Sequence, residues 1–591
     1  MAPPTTKTPE PQLVSSLIIS SLIASKTQLI FGIPGAKIDA VFNALLDHPQ
    51  IHLVVTRHEQ NAAFMAAAYG RLTGRPGVCI ATSGPGASNL TTGLATATTE
   101  GDPVVAIIGD VPRNMANKRT HQSMRALEVL APVVKKTIQI HVEDEVPEAL
   151  LSAFRAANSY PKGAVVVNLP QDIASLKTKV GSFEPRAFIP PLLGPGNSEA
   201  IAQVASMIQS ANFPVILLGL RSAAPRNVAK IREFLEKHPM PVVETFQAAG
   251  AVCKKQVHLF FGRIGLFRNQ PGDKLLAKSD LILSVGYDPT EYDAQNWNPR
   301  GNLNVVHIDY QSCDYDFHYQ PSAELIGSVA ENFHALGTQV TKVVSLSSND
   351  SILQPLRQEF NAWQSTSHDH PSDPTSRVNP LHFISSLQSL LPSPPTNDTR
   401  DNPEIFTPTT VITDVGTVYI YMMRHFFAYT PRSFLSSNGQ QTLGVGLPWA
   451  ISASLIQTPP CSRRVISLSG DGGFMFSSME LATAVQKGCR ITHFIWNDAA
   501  YNMVQFQEEM KYGRSSGVEL GGVDFVMLAR SFGARGESMD CEGQVEEVMR
   551  RVVGGDVDGK EGGGGVIVVD VRIDYSRVRE LAGHVIGEEY S

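Results

Sequence analysis

The chain has 591 residues, 42% of them hydrophobic and 18% charged, with a formal net charge of −7. This length exceeds one core and points to about three or four globular domains. The acidic balance gives no electrostatic reason to expect nucleic acid or an anionic membrane as partner, so an anionic ligand needs local features to hold it. Six scattered cysteines form no CxxC and no metal-ligand spacing, as in a reduced compartment. The opening "MAPPTTKTPEPQ" has neither an apolar signal core nor Arg-rich amphipathicity, and no apolar run is long enough for a membrane span. The expectation is a cytoplasmic protein.

Strand-like and helix-like segments alternate, which predicts an α/β fold with parallel sheets. The first block carries "LIFGI" (29–33), "HLVVT" (52–56), "GVCIAT" (77–82), "PVVAIIG" (103–109) and "GAVVVNLP" (163–170), and a Pro/Gly-rich linker follows at 184–198. The second block begins at "PVILLG" (214–219) and continues through "PVVET", "LILSVG" and "LNVVHID" to about Leu336. Its βαβ pattern is nucleotide-binding in style, but "GLRSAAP" lacks the full glycine fingerprint, so a structural spacer is the expectation. Polar, Pro-rich stretches (363–380 and 391–408) precede the third block, which runs from "TTVITDVG" to about Tyr575 and includes the glycine-rich loop 552–565.

Chemistry concentrates at "GDGGFMFSSMELATAVQKGCRITHFIWNDAAYN", residues 470–502. "VISLS" before it and "ITHFIW" within it read as buried strands, with Met479, Ala482 and Val485 on one face of a connecting helix. Asp471 then lies just past the carboxyl end of one strand, and Asn497 and Asp498 just past the next, the edge where open α/β sheets bind ligands. Oxygen donors without Cys or His suit a hard cation such as Mg2+, whose shell phosphate oxygens and water complete. The plainer alternative is a turn Asp followed by a helix-capping Asn-Asp pair.

Gly-Asp-Gly followed by Asn-Asp, 27 residues from 471 to 498, resembles the thiamin-diphosphate motif, whose usual ending is Asn-Asn. "TRHEQNAAFMAAAYGRLTG" (56–74) is similar to the Glu-bearing helix of acetolactate synthases. "FGIPGAKIDAVF" (31–42), "KRTHQSM" (118–124) and the central stretches "VETFQAAGAV", "FFGRIGLFRNQPGDKLL" and "YQPSAELIG" resemble the catabolic, flavin-free branch of that family. The resemblance implies three doubly wound parallel-sheet domains: pyrimidine-binding (10–183), central (198–340) and diphosphate-binding (377–580). It implies thiamin diphosphate and Mg2+ as cofactors, and no FAD.

By the same resemblance Glu59 shares a proton with the aminopyrimidine ring, while Lys37, His121 and Gln122 are the other catalytic residues. Asp471, Asp498 and the backbone carbonyl of Ala500 hold the metal. Gly416, Thr417, Gly470, Gly472, Gly473, Tyr501 and Met503 bind the cofactor, Leu443 props it into its bent shape, and Gln507 faces substrate. The implied reaction condenses two pyruvates to 2-acetolactate and CO2 through a hydroxyethyl carbanion on the cofactor, in a homodimer or homotetramer with its active site at the subunit interface. Val418 stands where relatives carry a His near the diphosphate, and Gln440 replaces a common Met. Open alternatives are a carboligase or decarboxylase acting on another 2-keto acid or aldehyde, and a non-catalytic paralogue.

Overall fold

The computed structural model describes residues 10–265, 270–341, 346–365, 373–391, 409–456, 464–553 and 565–578. All of 392–408, most of the glycine-rich loop and part of 363–380 lie outside these residues.

Three six-stranded, all-parallel sheets organise the chain. The first comprises β1 (Leu29–Gly32), β2 (His52–Val55), β3 (Gly77–Ala81), β4 (Val104–Asp110), β5 (Lys136–Gln139) and β6 (Ala164–Pro170), in spatial order β2-β1-β3-β4-β6-β5. The central sheet comprises β7 (Pro214–Leu218), β8 (Val242–Glu244), β9 (Phe260–Arg263), β10 (Leu281–Val285), β11 (Val305–Asp309) and β12 (Ala323–Ile326), ordered β9-β8-β7-β10-β11-β12. The third has β13 (Val411–Thr413), β14 (Phe434–Leu435), β15 (Val465–Gly470), β16 (Ile491–Asn497), β17 (Arg535–Met539) and β18 (Val566–Arg572), ordered β14-β13-β15-β16-β18-β17. The first and third sheets thus share one topology, and the central sheet has the doubly wound dinucleotide-fold order. The predicted fold class holds.

Inner strands are continuous Val/Ile/Leu runs because helices cover both faces of a parallel sheet. In β7 the alternation is explicit: Ile216 and Leu218 enter one apolar cluster, Val215 and Leu217 the other. Five strands escaped the sequence reading: "KTIQ" (β5), "FFGR" (β9), "AELI" (β12), "FL" (β14) and "RGESM" (β17). All are edge strands with one pairing neighbour; β14 is two residues long and the others carry Gly or polar residues, so none offers an apolar run to detect.

The spacer after Asp471 is not the single helix expected. It divides into a short helix (Asp471–Met475), a 3-10 turn (Ser478–Glu480) and a helix (Leu481–Gln486). From 478 to 486 the buried residues are Ser478, Glu480, Leu481, Thr483 and Ala484, while Met479, Ala482 and Val485 are only half-buried. The physical reason is its environment: the chain forms two compact units, and Ser477–Lys487 joins Gln440–Ile456 and the residues up to Pro191 in the first. The remaining described residues form the second. Among the described residues no helix is long and apolar enough to cross a membrane.

Candidate active site

In the first unit, β2 ends at Val55 and helix α1 runs from Glu59 to Thr73. His58 caps α1 through Nδ1, which accepts the Gln60 N–H at 3.2 Å, and Gly74 closes it in a left-handed conformation. Alanines at 62, 63, 66, 67 and 68 are all buried, so the helix packs closely on its neighbours. The buried Glu480 carboxylate accepts from Arg57 N (2.8 Å), His58 N (3.1 Å) and Asn61 Nδ2 (3.1 Å), fixing the turn that delivers Glu59. At the far end, Arg71 donates to Asp102 and Glu100 and lies 4.6 Å above the Trp449 ring of helix α2 (Gly446–Ile456).

Glu59 itself is half-buried. Its Oε2 accepts from Asn89 Nδ2 at 2.9 Å, which orients the carboxyl group and leaves Oε1 beside Gly86, where an added Cβ would lie 3.4 Å away. The Thr82–Gly86 loop also meets two other predicted residues' segments. An added Cβ on Gly35 would collide with Thr82, and one on Gly84 would come within 3.1 Å of Gln122 Cβ. Among the described residues the hydroxyls of Thr82 and Ser83 are buried and have no hydrogen-bond partner, polar atoms that a polar ligand would satisfy. Lys37 Nζ donates to Gln171 Oε1 at 3.1 Å, and Gln171 Nε2 to the Ala36 carbonyl. His121 is exposed and Leu443 half-buried.

In the second unit, β15 ends at Gly470 and Asp471 opens a short helix; β16 ends at Asn497, followed by Asp498. The two strands are neighbours in register, Gly470 opposite Trp496. Burial raises the Asp471 pKa, opposed by backbone N–H groups of Gly472 and Ala499. Burial, and then the charge of Asp471, push Asp498 up to about 7. Among the described residues neither acid takes an ion pair.

Two carboxylates so placed fit a hard cation, which would relieve both their desolvation and their repulsion. Among the described residues no group of three or more His, Cys, Asp or Glu is arranged for a metal. A pair of acids aided by a carbonyl and by phosphate oxygens therefore fits better than an all-protein cage. Room for such a group exists: an added Cβ on Gly416 or Gly470 would meet nothing within 4 Å. Gly472 has a different reason, since a Cβ there would lie 2.4 Å from the Tyr501 ring. Thr417 Oγ1 donates to Asn502 Oδ1 at 3.0 Å. Gly473 is buried, Met503 packs beside the core and Gln507 is exposed. Ala500 forms an isolated bridge with Glu519.

Val418 is 1% exposed and lies in an apolar cluster with Phe383, Tyr419 and Trp496, so its side chain serves the core; Thr417 and Tyr419 are the polar residues of that turn. Gln440 is exposed and donates to Thr99 Oγ1 at 2.9 Å. Sequence reasoning missed Asn89, Gln171, Glu480 and Asp570. Only Asp570 carries a local signal, one acid inside the apolar run "VIVVDV".

The chain is a thiamine pyrophosphate enzyme by its domains: the N-terminal TPP binding domain matches residues 13–129, the central domain 201–336 and the C-terminal TPP binding domain 414–571. Relatives lie along nearly the whole length. The acetolactate synthase of Bacillus subtilis (strain 168) is 42% identical over 98% of this chain and 96% of its own. The catabolic acetolactate synthase of Raoultella terrigena is 40% identical over 95% of each. A probable acetolactate synthase large subunit of Methanococcus aeolicus is 30% identical over 91% of this chain and 89% of its own. The chain belongs to the acetolactate synthase family of thiamine pyrophosphate enzymes.

Proposed function

We propose that the protein condenses two molecules of pyruvate to 2-acetolactate with release of CO2, using thiamin diphosphate and Mg2+. The near full-length match to acetolactate synthases carries this reading. Bound thiamin diphosphate supplies an acidic ring carbon that adds to a keto acid and accepts the electrons left when CO2 departs. Asp471, Asp498 and the Ala500 carbonyl would hold Mg2+, and Gly416, Thr417 and Gly470–Gly473 would receive the diphosphate. Glu59, with one oxygen held by Asn89, would exchange a proton with the pyrimidine ring. Leu443 would support the ring system, with Tyr501 and Met503 beside it. Lys37 or Gln122 would hold the acceptor's carboxylate through an N–H donor, with His121 and Gln507 facing substrate.

The central domain is read as a spacer that takes no FAD. What supports this is the gap between β7 and β10, the sheet's topological switch point: Arg221, just after β7, donates to Asp309 at 2.7 Å and to Asp288. A Cβ on Gly286 would lie 2.4 Å from Ser222 N. The reading further includes a homodimer or homotetramer in the cytoplasm, with Glu59 of one subunit serving Asp471 of another.

Incubation of the purified protein with pyruvate, thiamin diphosphate and Mg2+ should give acetolactate and CO2 in equal amounts. No acetolactate from pyruvate alone, but turnover once a second carbonyl compound is added, would move the assignment to a carboligase of different acceptor. Mixing Glu59→Gln with Asp471→Ala subunits should restore about a quarter of the activity if sites are shared between subunits; no recovery after proven exchange rejects that arrangement.

A further inference from the structure

β18 reads "VIVVDVR", and Asp570 interrupts its buried apolar run. A carboxylate in such a strand carries a desolvation cost that its hydrogen bonds must offset. Asp570 Oδ1 accepts from Asn497 Nδ2 at 2.9 Å, and both residues are at most 5% exposed. The Arg572 guanidinium is 3.8 Å from Oδ2 and itself half-exposed. On its other side, Asn497 Oδ1 accepts the Ala499 N–H at 3.3 Å.

Ala499 has φ 62°, a left-handed conformation that an L residue with a Cβ adopts at a cost. Its N–H also serves the Asp471 carboxylate. The loop's other side is held by Leu520 N to Ala499 O and Tyr501 N to Val518 O, each 2.8 Å. An amide has a donor end and an acceptor end, whereas a carboxylate only accepts. Asp570 therefore takes the NH2 end of Asn497 and leaves the carbonyl end for Ala499. With the amide turned over, two donors would face each other.

We propose that Asp570 is a positioning residue of the metal loop: by fixing the orientation of the Asn497 amide, it holds Asp498–Ala500 in the cation-binding shape. This rests on the reading of Asp471, Asp498 and Ala500 as the Mg2+ set.

The test is calorimetric titration of Mg2+ into the full chain at saturating thiamin diphosphate. Asp570→Ala and Asn497→Ala should each raise the Mg2+ Kd by about 10- to 100-fold, while kcat at saturating Mg2+ stays near the wild-type value. The double variant should be no worse than the weaker-binding single variant, because both act through one amide. Asp570→Asn should fall between, since it still accepts from Asn497 but no longer excludes the turned amide. An unchanged Kd in Asp570→Ala, or effects that multiply in the double variant, would overturn the proposal. Because the Asp570 charge also acts on Asp471, if Asp570→Ala does not fold, Asp570→Asn is combined with Asn497→Ala: effects that do not multiply support the role, and effects that multiply or an unchanged Kd in Asp570→Asn reject it. Asp471→Ala separates the two levels. Loss of Mg2+ binding there with normal binding in Asp570→Ala sinks only the positioning role, whereas normal binding in Asp471→Ala sinks the site reading itself.

Discussion

At the carboxyl edge of the central sheet, Arg221 donates to Asp288 and Asp309, tying the ends of β7, β10 and β11 together. At the same edge of the third sheet, Asp471 and Asp498 face each other across neighbouring strands with no ion pair among the described residues. Both edges carry acids past buried parallel strands. In one, a single guanidinium lies between two carboxylates; in the other, burial and then the charge of Asp471 push the Asp498 pKa up to about 7, and no cation of the described chain stands between the two acids. Charge pairing therefore distinguishes these edges better than sheet topology does. The first sheet shares the third's topology yet presents its acid from a different strand end: Glu59 follows the second strand in chain order, Asp471 the third.

The contrast can be broken at each edge. Glu59→Gln keeps an acceptor for Asn89 but removes the exchangeable proton, so hydrogen exchange at the cofactor's reactive carbon should slow by about 10²- to 10⁴-fold with melting unchanged. An unaltered exchange rate, followed by NMR in heavy water, would reject the role. Arg221→Met leaves the buried Asp309 and the half-buried Asp288 without their cation and should cost about 3 kcal/mol in denaturant unfolding, with the proposed Mg2+ dependence unaffected; a raised dependence would show that the central edge is coupled to the metal site.

A smaller effect is expected from pH. Glu291 is fully buried and burial raises its pKa to about 7, against bonds from Leu220 N, Thr245 and Gln247 N. A raised folded pKa gives stability that is fully present below the unfolded value, about 4.3, and is lost as pH rises through about 7. Wild-type stability should therefore fall by up to about 4 kcal/mol across that window, and Glu291→Gln should flatten the profile. Equal slopes in both proteins would count against it. Smallest is Ala499→Gly, which relieves the left-handed alanine and should stabilise the metal-free protein by about 1 kcal/mol; a loss of stability would mean that the methyl group's packing outweighs the strain.

The inner strands were legible because a sheet covered on both faces is apolar at most of its positions. Edge strands such as "KTIQ" and "RGESM" were not, because one pairing neighbour and partial exposure impose no such demand. Similarly, Met479, Ala482 and Val485 shared a helical period but not the buried face; Glu480 and Thr483 lie inside instead, against polar groups of α1's entry turn.

What the sequence determined alone was the chemistry at fixed chain distance: an acid at the end of β15, another at the end of β16, and a glutamate where β2 gives way to α1. Each follows from a strand, a turn and a spacing, all local properties. The tertiary structure decided who holds those residues. Asn89 is 30 residues from Glu59, Gln171 is 134 from Lys37, Glu480 is 423 from Arg57, and Asp570 is 73 from Asn497. These partners meet by parallel strand order and packing, and hydrogen-bond geometry across such separations leaves no period in the chain to read.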